Sequence, residues 1–232
     1  MRNSRIFVLL LSGILTCAAL SVRAEELEYK MELGGIVGGS YYLGDANYTG
    51  FFKNLRVMGG AVARYNINPR MAVKGNLVAA GIAGTTAGSD YRIPGENISF
   101  SRTLFDLGAQ FEYNFFAYGQ GGGYKRTHRL VPYITAGVGM TYAPAPAQHI
   151  FTANIPLGLG VKFKFAHRFN VGCELSFRFS FSDKLDVNKK ADITLDDPYK
   201  IDSKFFKNKD SYSFLSIFLT YDLFPKYRKC NN

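Results

Sequence analysis

The chain has 232 residues, no Trp, 20 Phe, 15 Tyr and 24 Gly, and a formal net charge of +10. That length holds one large domain or two small ones. The positive balance alone is compatible with nucleic acid, but the basic residues are scattered over turns, loops and strand faces, and the N-terminus marks the chain for export, which argues against a nucleic-acid partner.

The export signal comes first. Arg2 and Arg5 precede the apolar run FVLLLSGILTCAAL (Phe7 to Leu20), and Val22-Arg23-Ala24 precedes Glu25. A basic start, a short apolar middle and a small residue before the cut describe a secretory signal peptide over 1–24. The run is too short for a bilayer anchor. Cleavage at Cys17, as in a lipoprotein, is disfavoured by Thr16. Loss of Arg2, Arg5 and Arg23 lowers the net charge to +7. Cys173 and Cys230 remain, one on a strand face and one on the tail. They make no disulfide framework.

Eight strands follow, each predicted from a period of two. The first spans about 29–43, with Met31, Leu33, Val37 and Tyr41 opposite Lys30, Glu32, Gly34, Gly38 and Ser40. The second, about 53–67, sets Leu55, Val57, Ala61, Ala63 and Tyr65 against Asn54, Arg56, Gly60, Arg64 and Asn66. The third, about 71–83, is Gly-rich, with Lys74 and Asn76 on its polar face. The fourth, about 99–115, opposes Phe105, Leu107, Phe111, Tyr113 and Phe115 to Arg102, Asp106, Gln110, Glu112 and Asn114.

The fifth, about 131–142, turns Ile134, Ala136, Val138 and Met140 away from Tyr133, Thr135, Gly137, Gly139 and Thr141. The sixth, about 154–166, turns Ile155, Leu157, Leu159, Val161, Phe163 and Phe165 away from Gly158, Gly160, Lys162 and Lys164. The seventh, 169–181, is FNVGCELSFRFSF, with Glu174 and Arg178 opposite the aromatic face. The eighth, about 212–224, sets Leu215, Ile217, Leu219, Tyr221 and Leu223 against Ser216, Thr220 and Asp222.

Connections alternate in length. Asn68-Pro69-Arg70 and Ala166-His167-Arg168 read as tight turns, while 44–52, 84–98, 143–153 and 183–211 are longer. The 116–130 segment is a long member of the short set and reads as a flexible linker. Short periplasmic turns alternating with longer external loops are the habit of bacterial transmembrane barrels. With the N-terminus periplasmic, the four long loops fall outside.

A soluble β-sandwich also has one apolar face per strand. Here the apolar faces run without charge for longer than a typical sandwich strand. Aromatic residues sit near strand ends (Tyr29, Tyr41, Tyr65, Tyr113, Phe115, Tyr142, Tyr221, Phe224), as in interfacial girdles. The opposite faces are small, as a narrow eight-stranded interior requires. The expected fold is therefore all-β, an eight-stranded antiparallel transmembrane β-barrel of the outer-membrane type. It spans 25–224, both termini are periplasmic, and 225–232 is a periplasmic tail.

Such a lumen gathers charge. Glu32, Arg56, Arg64, Asp106, Glu112, Lys162, Glu174, Arg178 and Asp222 are the expected network, joined by Lys30, Lys74, Arg102 and Lys164. Isolated buried charge is very costly, so these groups must pair. They form a rigid plug or, less in keeping with so narrow a tube, an ion path. No metal spacing of His and Cys occurs, and no cofactor motif. GQGGGYK (Gly119 to Lys125) lacks the strand-to-helix setting of a phosphate loop. A lipid hydrolase would need a histidine near the outer rim. Only His149 falls there, with no acid nearby, so no catalytic residue and no small-molecule substrate are expected. The charged loop at 183–211 has aspartates whose spacing fits no calcium-loop pattern, and it reads as solvated.

An ordered set of stretches carries a resemblance. These are MELGGIVGGSYYLGD (Met31 to Asp45), ARYNINPRMAVKGN (Ala63 to Asn76), FEYNFFAY (Phe111 to Tyr118), VPYITAGVGM (Val131 to Met140), IPLGLGVKFKF (Ile155 to Phe165) and VGCELSFRFSFSDKLDV (Val171 to Val187). Together they resemble the PorG-like outer-membrane barrels of the type IX secretion system in the Bacteroidetes. The resemblance implies a non-enzymatic component of that secretion and gliding machinery, associated with its periplasmic lipoprotein-containing ring. The implied contact surfaces are Lys125, Arg126, His128 and Arg129 in the linker and Lys226, Arg228 and Lys229 in the tail. Without the resemblance, the same chain reads as a stand-alone barrel serving envelope integrity or adhesion.

Overall fold

A computed structural model describes residues 29–43, 55–85, 99–120, 127–144, 149–181 and 211–225. The segment expected to be a signal peptide (1–24), the C-terminal tail with Cys230, the 183–210 stretch, Lys125 and Arg126 lie outside them.

Eight strands form one closed antiparallel barrel in sequence order: β1 (Tyr29–Leu43), β2 (Arg56–Asn68), β3 (Met71–Thr85), β4 (Ser99–Asn114), β5 (Leu130–Ala143), β6 (Ile150–Lys164), β7 (Phe169–Ser180) and β8 (Ser211–Pro225). β1 pairs with β8, from Tyr29 opposite Pro225 to Leu43 opposite Ser211, and this leaves no sheet edge. The expected strands agree apart from their ends. β2 starts at Arg56 rather than 53, and β6 reaches back to Ile150 rather than 154.

The register fixes the shape. A path of opposed residues runs Met31, Tyr65, Val73, Phe111, Ala136, Leu157, Phe177, Ser213 and back to β1 at Tyr41. The return is displaced by ten residues, which is the shear of the barrel. Eight strands with that shear tilt by roughly 40° and enclose a tube of roughly 8 Å radius at the backbone. Side chains fill such a tube.

Close approach of the strands explains several inward glycines. A Cβ on Gly34 would lie 2.6 Å from the Thr220 Cα, and one on Gly38 would lie 2.7 Å from the Ser216 Cα. Elsewhere a glycine makes room for an opposed ring. Tyr133 lies over its partner Gly160, and Phe218 over its partner Gly172.

Both termini of the barrel, the Asn68-Pro69-Arg70 turn, the 115–129 connection and the 165–168 turn share one end, termed the turn end below. The other connections leave from the loop end. At the β2–β3 turn the register shifts between Asn66 and Asn68, and the Arg70 amide donates to Asn68 Oδ1 at 2.8 Å, an Asx-type closure.

Candidate functional site

The two faces of the barrel differ in chemistry. On the outward face of the described strands there is no charged residue. Val57 is 84% exposed, Val138 68% and Phe151 70%. Exposed aromatics crowd the turn end (Tyr65, Phe115, Phe163, Phe165, Phe169, Phe224), with fewer at the loop end (Phe105, Tyr142, Phe151, Phe179). From Phe169 to Phe179, β7 rises roughly 33 Å along the strand, or roughly 25 Å along the barrel axis at a tilt of about 40°. That is the height of a transmembrane barrel's apolar band. Cys173 lies exposed within it.

The lumen holds every acidic residue among the described residues: Glu32, Asp106, Glu112, Glu174 and Asp222, all buried. Near the turn end, Lys164 pairs with Asp222, and Asn170 Nδ2 donates to Asp222 Oδ1 at 2.7 Å. Next along the axis, Arg64 bridges two carboxylates, with Nη1 2.5 Å from Glu32 Oε2 and Nε 2.8 Å from Glu112 Oε2. Lys162 Nζ lies 2.6 Å from Glu112 Oε1, and Asn66 donates to Glu32 at 3.0 Å. Then Lys74 Nζ meets Glu174 at 2.6 Å, and the Tyr133 hydroxyl donates to the same carboxylate at 2.7 Å.

Further on, Asp106 accepts from Arg178 Nε at 3.0 Å, from the Tyr212 hydroxyl at 2.7 Å and from Asn154 at 2.9 Å. Beyond this layer the loop-end half mixes an apolar cluster with the buried Arg102, Ser40 and Thr152. Met58, Val78, Ile82, Leu104, Ile150 and Phe214 belong to one buried cluster.

Most of the expected network is therefore brought together, with two corrections. Arg56 is exposed at the start of β2, and Lys30 is exposed near the start of β1. Alternation gives each the parity of a lumen residue, but both sit at strand ends, where water reaches them. Arg102 is buried, 5% exposed. Two aromatics assigned to the outer girdle also move. Tyr41 is 1% exposed. Tyr29 is buried over the turn-end mouth, its ring 5.2 Å from Lys164 Nζ.

Part of the segment read as a flexible linker is built into the mouth. The Tyr118 amide donates to Pro69 O at 2.9 Å, and the His128 amide donates to Ala117 O at 2.7 Å. Tyr118 enters the lumen. Its hydroxyl donates to Asn170 Oδ1 at 2.6 Å and its ring lies 4.3 Å from Lys162 Nζ. Burial pushes its phenol above the ordinary value. Below Tyr118 a cavity of about 20 Å³ remains, bordered by Glu32, Asn66 and Asn114. A second, of about 10 Å³, lies between Lys74 and Phe218. Each has room for about one water. The charges form a plug around these voids.

Of the implied contact residues, His128 and Arg129 are exposed at the turn end. Lys125, Arg126, Lys226, Arg228 and Lys229 lie outside the described residues. His149 is exposed at the loop end. Its Nδ1 is 3.2 Å from the Tyr142 hydroxyl and the two rings stack. Among the described residues a phenol, rather than a carboxylate, stands against this histidine. Among the described residues no group of His, Cys, Asp and Glu could hold a metal ion.

Several solved barrels are similar in fold. The chain matches Neisserial surface protein A at 12% identity, covering 83% of this chain and 97% of that one, with a TM-score of 0.49. It matches the N-terminal β-barrel domain of OprF from Pseudomonas aeruginosa at 12% identity, covering 84% and 98%, with a TM-score of 0.46. It matches Ail of Yersinia pestis, solved with the heparin analogue sucrose octasulfate, at 9% identity, covering 85% and 100%, with a TM-score of 0.47. No curated protein matches the sequence. One family does, over residues 5–232, and the chain belongs to it: the family described as a domain of unknown function, DUF6089.

Proposed function

We propose that this chain spans the Gram-negative outer membrane and works through its two ends, as a non-enzymatic barrel component of a type IX protein secretion and gliding machine. The observation that carries the membrane reading is the uncharged outward face of all eight strands, wrapped around a buried set of ion pairs. Water on the outside would leave that face without a partner. Hydrocarbon covers it, and the closed ladder satisfies the backbone groups that lipid cannot. The packed lumen favours a structural or docking role over conduction, because six ion pairs stand across the path.

The secretion role rests on the ordered sequence resemblance to the PorG-like barrels. In that reading the turn end is periplasmic, and the exposed His128 and Arg129 belong to the surface that meets the periplasmic ring. Deletion of the gene tests it. Loss of secreted cargo with an intact permeability barrier is the expected result. An unchanged secretome with a leaky or non-adherent envelope would replace it with the stand-alone reading.

A further inference from the structure

Charge is partitioned in an unusual way. All five acids of the described residues are buried in the lumen, while Lys30, Arg56, Arg70, Arg129 and Arg168 are exposed. Four of these five bases, all but Arg56, ring the turn end, just beyond its aromatic girdle. No described carboxylate is exposed beside them.

Within this ring one pocket is organised. A half-open cavity of about 80 Å³ lies where the 115–129 connection meets the β6–β7 turn, lined by Gln120, Arg129, Lys164, Phe165, Ala166 and His167. Its cations are held in place. The Lys164 amide donates to Arg129 O at 2.9 Å, and Arg129 Nε donates to Gln120 O. Gln120 Nε2 donates to His167 O at 3.3 Å and lies 2.6 Å from His167 Nδ1. With Nδ1 accepting, the imidazole proton sits on Nε2, a further donor. Arg129 keeps its two terminal nitrogens, in the planar fork that suits a phosphate.

The wall beneath these donors is apolar. Leu130 stands opposite Phe163, and Phe165 packs on Phe169 at 5.9 Å between centroids. The site therefore has two halves, a cationic one toward water and an aliphatic and aromatic one toward the band.

We propose that this pocket binds the headgroup of an anionic phospholipid, with the phosphodiester on Arg129 and His167 and the acyl chains over Leu130, Phe163 and Phe165. A zwitterionic lipid fits less well, because among the described residues no exposed carboxylate stands beside the pocket to receive its ammonium. The proposal rests on the membrane-spanning reading above but not on the secretion role.

Native mass spectrometry of the mature chain in an uncharged detergent tests it, with phosphatidylglycerol or phosphatidylcholine of matched chains added. The wild-type barrel is expected to retain phosphatidylglycerol several-fold over phosphatidylcholine. Arg129→Ala with His167→Ala should abolish that preference, and Arg56→Ala at the opposite end should leave it. Where the double variant fails to show the folded band on a cold gel, Arg129→Lys with His167→Gln replaces it and is expected to weaken retention.

Equal retention of the two lipids by the wild type would overturn the proposal. So would undiminished phosphatidylglycerol on the folded variant. Inorganic phosphate that binds as tightly as the lipid would make a free anion the ligand, and a polyglutamate peptide that displaces the lipid would make an acidic polypeptide the ligand; either overturns the lipid assignment. A chain that stays a folded monomer without detergent defeats the membrane reading itself, whereas one that enters micelles and does not discriminate defeats only this site.

Discussion

Arg64 on β2 and Glu112 on β4 meet 2.8 Å apart in the lumen, and neither side chain has exposed surface. The strands are next-but-one neighbours, so the pair reaches across part of the bore rather than along a wall. Glu112 also takes Lys162 from β6, and Arg64 also takes Glu32 from β1. Four strands are tied by one chain of charges. Removing Arg64 leaves Glu32 without its ion pair, and removing Glu112 does the same to Lys162; that penalty is larger than the net gain from forming the pair.

Arg64→Ala is accordingly expected to destabilise the barrel by about 3–5 kcal/mol. Replacing Lys74 and Glu174 together, by Met and Leu, should cost less than the sum of the two single changes, because the double change leaves no unpaired charge, only the Tyr133 hydroxyl without its acceptor. Urea unfolding in lipid vesicles reads both. Additive single and double effects would show that the pairs do not interact.

The outward face is predicted to respond by depth. Leu159→Arg, near the middle of the band, should cost about 2–4 kcal/mol, and Phe169→Arg, at the turn-end girdle, about 0–1 kcal/mol. Equal small costs at both positions would place the outer face in water.

Tyr118 closes the turn-end mouth, and its phenol titrates above the ordinary tyrosine value of about 10 because burial disfavours the phenolate. A group with a raised folded pKa contributes stability that is full below its unfolded value and is lost as pH rises above it. Stability should therefore fall above pH 10, by up to about 1.4 kcal/mol per pH unit from this group. Tyr118→Phe should cost about 1 kcal/mol for the lost hydrogen bond and flatten that alkaline slope. Identical slopes in the two proteins, measured by denaturant unfolding at a series of pH values, would contradict the buried placement.

Cys173 lies on the lipid-facing side of β7, within the band. In vesicles it should react with a membrane-soluble maleimide and resist a charged, water-soluble one. Rapid labelling by the charged reagent would mean that water reaches this face.

Much of this architecture is legible in the sequence. Strict alternation in β4, β6 and β7 identifies the faces residue by residue, since a strand in lipid cannot exchange its sides. Parity tells face and not depth, so Lys30 and Arg56 at strand ends were grouped with lumen charges they do not join. β8 hides part of its logic. Phe214 and Phe218 point inward, 2% exposed each, so that strand is apolar on both sides around its serines. Gly172, opposite Phe218, is the sequence signal for the inward ring, but it is recognisable only once the register is known. Tyr118 was missed for another reason. A plug formed by a connection depends on where two turns meet in space, and GQGGG beside it reads as a flexible spacer.

The most direct test of the account is the behaviour of the purified mature chain with and without an apolar phase. In detergent micelles or lipid vesicles it should fold to a monomer whose gel mobility changes on heating, and in plain buffer it should aggregate or remain unfolded. A folded, monodisperse monomer in buffer alone would contradict it, because the uncharged outer face would then be stable against water.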